Sequence, residues 1–234
     1  MLLVWQVLSM LFSRVIIASP QDTFVALGNL LLKGELWTQF GHSLGRLFIG
    51  LGAGSVLGII MGILAGMNYQ LRFFLEPMRW TIVTVPVIIL AVLAMLWFGI
   101  GSLPVLFLVG LITTPIVYVN TLEGMLAIDS RVLEMARVYK IPSHLKIREI
   151  YLPGIGSSIM AGLTNASGIG VRALILAEFM GGRNGIGQSF FKAWSFLDTP
   201  ALFAWILTAF ALMGLVEFGI LRPTRDYLMR WKKT

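Results

Sequence analysis

Two charged residues, Arg172 and Glu178, lie within a single apolar run of this sequence. Charges inside a membrane-length segment are costly, and they commonly mark a transport pathway or a buried ion pair. Arg172 could bind an anionic solute or pair with Glu178, about one and a half helical turns further on, and the sequence leaves both interpretations open. Arg46 and Glu217 lie near the ends of apolar runs, where we expect their side chains to reach water by snorkelling.

The segment 178–190 is rich in glycine. Its backbone N–H groups could cradle an anion, because successive N–H groups in a tight loop form a concave site of positive potential. A plain re-entrant turn before the last apolar run explains the same glycines equally well.

Catalysis by this chain is not expected from its residues. The only histidines, His42 and His144, fall in segments that we predict on opposite sides of a membrane, so they cannot share a metal ion. The sequence has no cysteine and no HExxH, GxSxG or phosphate-loop motif. We therefore expect neither metal nor cofactor on this chain, and no ATP hydrolysis by it.

The charged stretch 129–153 lies between two long apolar runs and is longer than a simple membrane connection requires. Its pattern predicts a helix with an apolar stripe made of Val132, Leu133, Ala136 and Tyr139. Pro142 is predicted to end that helix, and Ser143 to cap a second one. An apolar side on such a hairpin suits a groove on a soluble partner, and a helix resting on anionic lipid is the alternative.

The composition identifies an integral membrane protein. Of the 234 residues, 57% are hydrophobic and 12% are charged, against roughly 45–50% and about 25% in soluble domains. Helices of about 20 apolar residues span the hydrocarbon layer, and the alternation typical of membrane β-barrels is absent. We predict an all-α membrane protein with six transmembrane helices, at roughly 2–18, 43–67, 74–98, 103–119, 155–179 and 201–221.

The distribution of basic residues predicts the topology. We interpret the first apolar run as a retained span rather than a cleaved signal peptide, because no Lys or Arg precedes it and no good cleavage site follows. Of the 18 Lys and Arg residues, twelve then fall on one side of the membrane and three on the other. The positive-inside rule places both termini and the 129–153 stretch in the cytoplasm. Since the positive charge sets topology, nucleic-acid binding is not expected.

We expect one multi-pass domain over 1–234, in the inner or plasma membrane, with no separate soluble domain. Small residues recur every four positions in the second span, at Gly54, Gly58, Gly62 and Gly66. We interpret them as packing within the chain, with a dimer seam as the alternative. Pro86 and Pro115 interrupt the third and fourth spans, which predicts kinks that could line a pathway.

The 129–153 stretch resembles the EAA loop of binding-protein-dependent ABC importer permeases. That pattern reads Glu-Ala-Ala, three residues, Gly, nine residues, then Ile-x-Leu-Pro. The matching positions here are Glu134, Met135, Ala136, Lys140, Ile150, Leu152 and Pro153. Met135 and Lys140 depart from the pattern, and we expect Pro142 to supply the helix break that the family's Gly normally gives. The segments 85–101 and 176–190 also resemble permeases of the nitrate, sulfonate and taurine type, so the resemblance extends over nearly the whole chain.

The resemblance implies a type I importer permease fold of the MetI-like kind. It implies a second permease subunit, in a homo- or heterodimer, a cytoplasmic ABC ATPase dimer that binds the ATP, a substrate-binding protein on the other face, and contact with membrane lipid. The solute would be small and anionic or heteroaromatic. The residues implied in coupling to the ATPase are Glu134, Met135, Ala136, Arg137, Lys140, Pro142, Ser143, His144, Ile150, Leu152 and Pro153. The candidates for the translocation pathway are Arg172, Glu178, Pro86 and Pro115.

Two other functions fit some of these features. A gradient-driven secondary transporter or channel would need no ATPase, although the scarcity of buried acids argues against a proton relay. A membrane scaffold could dock a cytosolic protein through the same hairpin. Only the importer predicts a co-purifying nucleotide-binding subunit.

Overall fold

The computed structural model describes residues 2–13 and 16–223, which are mainly helical and contain no strand. The α-helices are α1 (Leu2–Leu11), α2 (Pro20–Leu32), α3 (Glu35–Met67), α4 (Tyr69–Thr84), α5 (Val87–Phe98), α6 (Ser102–Leu126), α7 (Ser130–Val138), α8 (Ser143–Lys146), α9 (Leu152–Gly181), α10 (Ile186–Ser195) and α11 (Thr199–Gly214). π-Helical turns at Ile147–Tyr151 and Leu215–Leu221 precede α9 and follow α11. The side chain of Ser143 and the predicted cytoplasmic cations Arg225, Arg230, Lys232 and Lys233 lie outside the described part.

Four described helical segments are long and apolar enough to cross a membrane, namely Glu35–Met67, Ser102–Leu126, His144–Gly181 and Thr199–Gly219. A fifth is added if α4 and α5, separated by a short break, count as one span. The predicted all-helical membrane fold is confirmed. Helix α1 has 10 residues and is too short to span about 30 Å of hydrocarbon, so the count of six spans stays a prediction.

The two predicted proline kinks have different outcomes. Pro86 lies at the break between α4 and α5, and Val85 before it is extended at φ −67° and ψ 129°, because a following proline disfavours the helical conformation. Helix α6 instead continues through Pro115. The hydroxyl of Thr114 donates to the Gly110 carbonyl over 2.7 Å, the kind of local hydrogen bond with which membrane helices tolerate proline.

The chain divides into two compact units. Unit one contains Met1–Gly50, Val87–Leu108 and Val171–Leu215, and unit two contains Leu51–Pro86, Val109–Gly170 and Val216–Thr234. In unit one, Trp5 on α1 donates to the Ala18 carbonyl over 2.9 Å and stacks on Phe203 of α11. In unit two, the buried residues Ala65, Leu75, Tyr118 and Leu122 form one apolar cluster. The expectation of a single membrane domain stays a prediction.

The glycine face of α3 packs against α6 within unit two, which confirms packing within the chain. A Cβ atom built on Gly58 would lie 2.7 Å from the Thr114 carbonyl oxygen, and one on Gly62 would lie 2.6 Å from Thr121 Cβ. A Cβ atom on Gly66 would lie 2.6 Å from Met125 Cβ. These distances are shorter than side chains allow, so the glycines let the two helices approach closely.

We expect Gly58→Ala to destabilise the protein, because the added methyl group meets the α6 backbone, which cannot move independently of its helix. Gly52→Ala is the matched control, since a Cβ atom there meets nothing within 4 Å. Thermal unfolding of the purified variants should give a melting temperature several degrees lower for Gly58→Ala alone. Equal melting temperatures would contradict close packing of α3 on α6.

Candidate functional site

The Glu178 carboxylate forms the centre of a buried polar cluster in unit one. This residue lies in the last turn of α9, and its side chain is 0% exposed. Arg46 Nη1 donates to Oε1 over 2.7 Å, and Ser43 Oγ donates to Oε2 over 2.7 Å. The backbone N–H of Gly187 donates to Oε2 over 3.0 Å. Both oxygens therefore have donors, which compensates for the loss of hydration of a buried charge.

Arg46 is the cation of this cluster. It lies on α3 and is 7% exposed, so the expectation that its side chain reaches water is wrong. Its Nε donates to Ser102 Oγ over 3.1 Å, its Nη1 to the Asn184 carbonyl over 2.7 Å, and its Nη2 to Asn184 Oδ1. The guanidinium group stays inside because its planar set of donors matches the acceptors around it.

The glycine-rich loop surrounds acceptors that belong to the chain itself. The N–H of Gly185 donates to Gln39 Oε1 over 2.6 Å, and the N–H of Ile186 donates to Ser43 Oγ over 2.8 Å. Gly185 has a φ of 108°, and a Cβ atom there would lie 2.5 Å from Glu178 Oε2. These donors are therefore engaged by the chain's own side chains, including a carboxylate through Gly187, rather than left free for an external anion.

The cluster holds four parts of unit one together: the start of α3, the start of α6, the end of α9, and the loop that leads into α10. Because its donors and acceptors satisfy one another, it is a rigid connection and not a reactive centre. The sequence carried a signal for it. Gln39, Ser43 and Arg46 are four and three residues apart, which places them on one face of a helix, but this pattern does not identify the helix that supplies their partner.

The position of Glu178 excludes one of the two interpretations of Arg172, the ion pair with Glu178. Glu178 is bound by Arg46, and Arg172 makes no ion pair with any residue in 2–13 or 16–223. The Arg172 side chain is exposed and lines a cavity between α9, α10 and α11. Glu217, which we expected to reach water by snorkelling, is partly exposed, and its Oε1 lies 3.5 Å from Arg222 Nη2 in an ion pair.

The first arm of the 129–153 hairpin is α7, which ends at Val138, and the chain turns at Lys140 rather than at Pro142. Asp129 caps the start, since its Oδ1 accepts the N–H of Arg131 over 2.9 Å. At the other end, the N–H of Ile141 donates to the Ala136 carbonyl and the N–H of Lys140 to the Arg137 carbonyl, each over 3.0 Å. This is a Schellman motif.

Lys140 occupies the position of that motif at which glycine is usual. Its φ is 51°, in the left-handed region. The departure from the EAA pattern therefore changes the residue and keeps the backbone conformation that the family's Gly would supply. The expectation that Pro142 replaces that break is wrong, because the chain has already turned two residues earlier.

The exposed apolar surface of α7 differs from the predicted stripe. Ala136 is completely buried, whereas Val138 and Tyr139 are 78% and 75% exposed and Met135 is half exposed. We call Met135, Val138 and Tyr139 the hairpin patch. Its neighbours Glu134, Arg137 and Lys140 are also exposed, so the patch is an apolar surface surrounded by charges.

The second arm is continuous with α9 and is not a separate helix. The helical segment runs from His144 to Gly181, and its π-helical turn contains a hydrogen bond from the Leu152 N–H to the Ile147 carbonyl. Pro153 offers no N–H to the preceding turn, and such a missing donor is accommodated by a local change of helical register. Of the remaining predicted coupling residues, Pro142, His144, Leu152 and Pro153 are exposed and Ile150 is half-buried. Pro86 is exposed and Pro115 is buried.

These features define a class: a multi-pass helical membrane protein with a charged hairpin between two spans and no reactive centre in its polar cluster. The chain belongs to the family of binding-protein-dependent transport system inner membrane components, which residues 54–221 match. It is therefore the permease component of an ABC importer.

Relatives and solved structures agree with this membership. The chain is 30% identical to the aliphatic sulfonates transport permease SsuC of Bacillus subtilis, covering 99% of this chain and 84% of that protein. It is 34% identical to SsuC of Escherichia coli, covering 97% and 87%. A chain of the MetNI methionine ABC transporter, solved in inward-facing conformations, has the same fold, with a TM-score of 0.73 and 17% identity over 82% of this chain and 95% of that one.

Proposed function

We propose that this permease admits a small organic anion of the sulfonate class and is driven by a separate ATPase that seats on the hairpin patch. The observation that carries the proposal is the exposure of Met135, Val138 and Tyr139 at the end of α7, beside the exposed charged residues Glu134, Arg137 and Lys140. Exposed apolar side chains on a rigid helix are the anchors by which a helix enters a groove on a partner. The similarity to sulfonate permeases supports the class of solute.

The continuity of the second arm with α9 supports a mechanism of coupling. A force applied to the hairpin would be transmitted along one helical segment, His144–Gly181, toward the end that carries Arg172 and Glu178. In this proposal the chain forms one membrane domain over 1–234 that has two conformations. ATP binding by the partner would favour one conformation, and delivery of the solute would favour the other. This chain would itself bind no ATP, metal or cofactor.

The proposed assembly contains two permease subunits, identical or different, a dimer of cytoplasmic ATPases and an extracytoplasmic substrate-binding protein, in contact with membrane lipid. Both termini and the hairpin would face the cytoplasm, since twelve of the 18 basic residues then lie on that side. The other residues that we propose to couple the permease to the ATPase belong to the same hairpin. They are Glu134, Ala136, Arg137, His144, Ile150, Leu152 and Pro153.

Purification of the tagged chain in mild detergent tests the proposal. We expect a nucleotide-binding subunit to co-purify in stoichiometric amount, and sulfonate uptake into membrane vesicles to require ATP and to survive a protonophore. Uptake that a protonophore abolishes and that needs no ATP would contradict it and favour a gradient-driven transporter.

A further inference from the structure

A cavity that opens widely to the surface of unit one adjoins Arg172, which forms no ion pair with any residue in 2–13 or 16–223. Its volume is about 560 Å³, and its walls come from α9, α10 and α11. The lining is apolar and aromatic apart from that guanidinium group, and it includes Phe179, Phe190, Phe210 and Met213. Ligand sites in proteins are typically concave spaces of about 300–1,000 Å³ lined in this way, with a few polar groups that orient the ligand.

Arg172 has nothing within the described chain to neutralise it. It lies within an apolar span, nine residues and about 14 Å before Gly181, and an unpaired charge in such a place is costly. The nearest acid along α9 is Glu178, and both of its oxygens are engaged by Arg46, Ser43 and Gly187. An anion from outside the chain would therefore be needed to neutralise the guanidinium group of Arg172.

The chemistry of the cavity limits what that anion can be. A guanidinium group presents parallel N–H donors that match two oxygens of one oxyanion. Among the residues that the structure describes, no carboxylate lines the cavity, so none of them would pair with an ammonium group there. The aromatic and aliphatic walls favour a ligand with an apolar body, because burying that body is what stabilises it.

We infer that Arg172 and this cavity bind an organic monoanion with an apolar body, such as an unsubstituted alkanesulfonate. The inference rests on the proposed function and extends it by excluding two kinds of solute. A zwitterion such as taurine would bury an unpaired ammonium group, and a small inorganic anion such as nitrate would leave the apolar walls unused. The oxyanion lies on Arg172, and the hydrocarbon chain lies against Phe179, Phe190 and Phe210.

The test uses the permease purified with its ATPase in nanodiscs of phosphatidylcholine, with radiolabelled hexanesulfonate as the probe. We expect saturable binding that Arg172→Ala weakens at least tenfold and that Arg172→Lys weakens less, since lysine keeps the charge and loses the paired donors. Lys192→Ala is the matched control, because Lys192 is an exposed cation on α10 that does not line the cavity. It should bind hexanesulfonate as the unsubstituted protein does.

A second readout separates recognition of charge from a structural effect. Hexanesulfonamide is an uncharged analogue of similar shape, and we expect Arg172→Ala to weaken its competition far less than that of hexanesulfonate. Equal binding of hexanesulfonate by Arg172→Ala and the unsubstituted chain would overturn the inference, as would equal competition by taurine. Loss of a tightly bound phospholipid from Arg172→Ala in native mass spectrometry, with sulfonate binding unchanged, would assign the site to lipid and also overturn it. Failure of the proposed function would be distinct, because the ATPase would then be missing from the purified protein.

Discussion

Replacing Val138 by aspartate is expected to detach the ATPase from the permease and to abolish uptake. Val138 is 78% exposed, so the substitution removes no packing within the chain and should leave insertion and melting temperature unchanged. In the assembled importer the same side chain would be buried in a groove, where an unpaired carboxylate is unfavourable. Loss of a central anchor typically weakens an interface by at least about 2 kcal/mol, or roughly 30-fold.

Co-purification of the ATPase with the tagged permease measures this effect directly. Phe196→Asp is the matched control: Phe196 is equally exposed, and in our topology it lies on the opposite side of the membrane. That variant should retain the ATPase. If Val138→Asp retained both the ATPase and uptake, the hairpin patch would not be the surface that binds the ATPase. Glu134→Lys, next to the patch, should likewise insert normally and fail to transport.

Removing the carboxylate of Glu178 should have the largest effect on stability. In Glu178→Ala the guanidinium group of Arg46 stays buried without its counter-ion, and Ser43 Oγ and the Gly187 N–H lose their acceptor. Breaking one side of a buried ion pair costs about 3–5 kcal/mol. For a chain of this length that corresponds to a fall in melting temperature of roughly 6–20 °C, at about 2–4 °C per kcal/mol. Intrinsic tryptophan fluorescence of the purified protein would follow the transition.

Two further variants serve as a rescue and as a control for the Glu178→Ala measurement. The double variant Arg46→Met with Glu178→Leu should recover part of the lost stability. Two apolar side chains of similar volume are tolerated better in a buried site than a single charge without its counter-ion. Glu149→Ala removes an exposed ion pair with Arg148 and should not shift the melting temperature. If Glu178→Ala melts like Glu149→Ala, the buried cluster does not hold unit one together.

The hairpin shows which structural features the spacing of residues can predict and which it cannot. Spacing predicted the first arm, α7, because helix periodicity and capping are local effects within a few residues. It did not predict that the turn comes at Lys140 instead of Pro142, or that the second arm continues into α9. Spacing could not tell which face of α7 is exposed, since Ala136 is buried only where the fold covers it. Nor did residue type show that Lys140 would adopt the glycine conformation, which the hydrogen bonds of the helix end impose at some cost in strain.

By itself, the sequence determined that this is a helical membrane protein, that its polar loops carry most of the positive charge, and that it resembles importer permeases. The first two properties follow from the composition and from the length and placement of the apolar runs. The third is a resemblance of particular residues, above all those of the 129–153 stretch, to a known family pattern. Only the tertiary structure decided which charges neutralise one another. Arg46 and Glu178 are 132 positions apart and meet because α3 and α9 are neighbours in unit one. Arg172, only six residues from Glu178, forms no ion pair within the described part of the chain. A pairing of this kind depends on the arrangement of the helices, which local spacing does not contain.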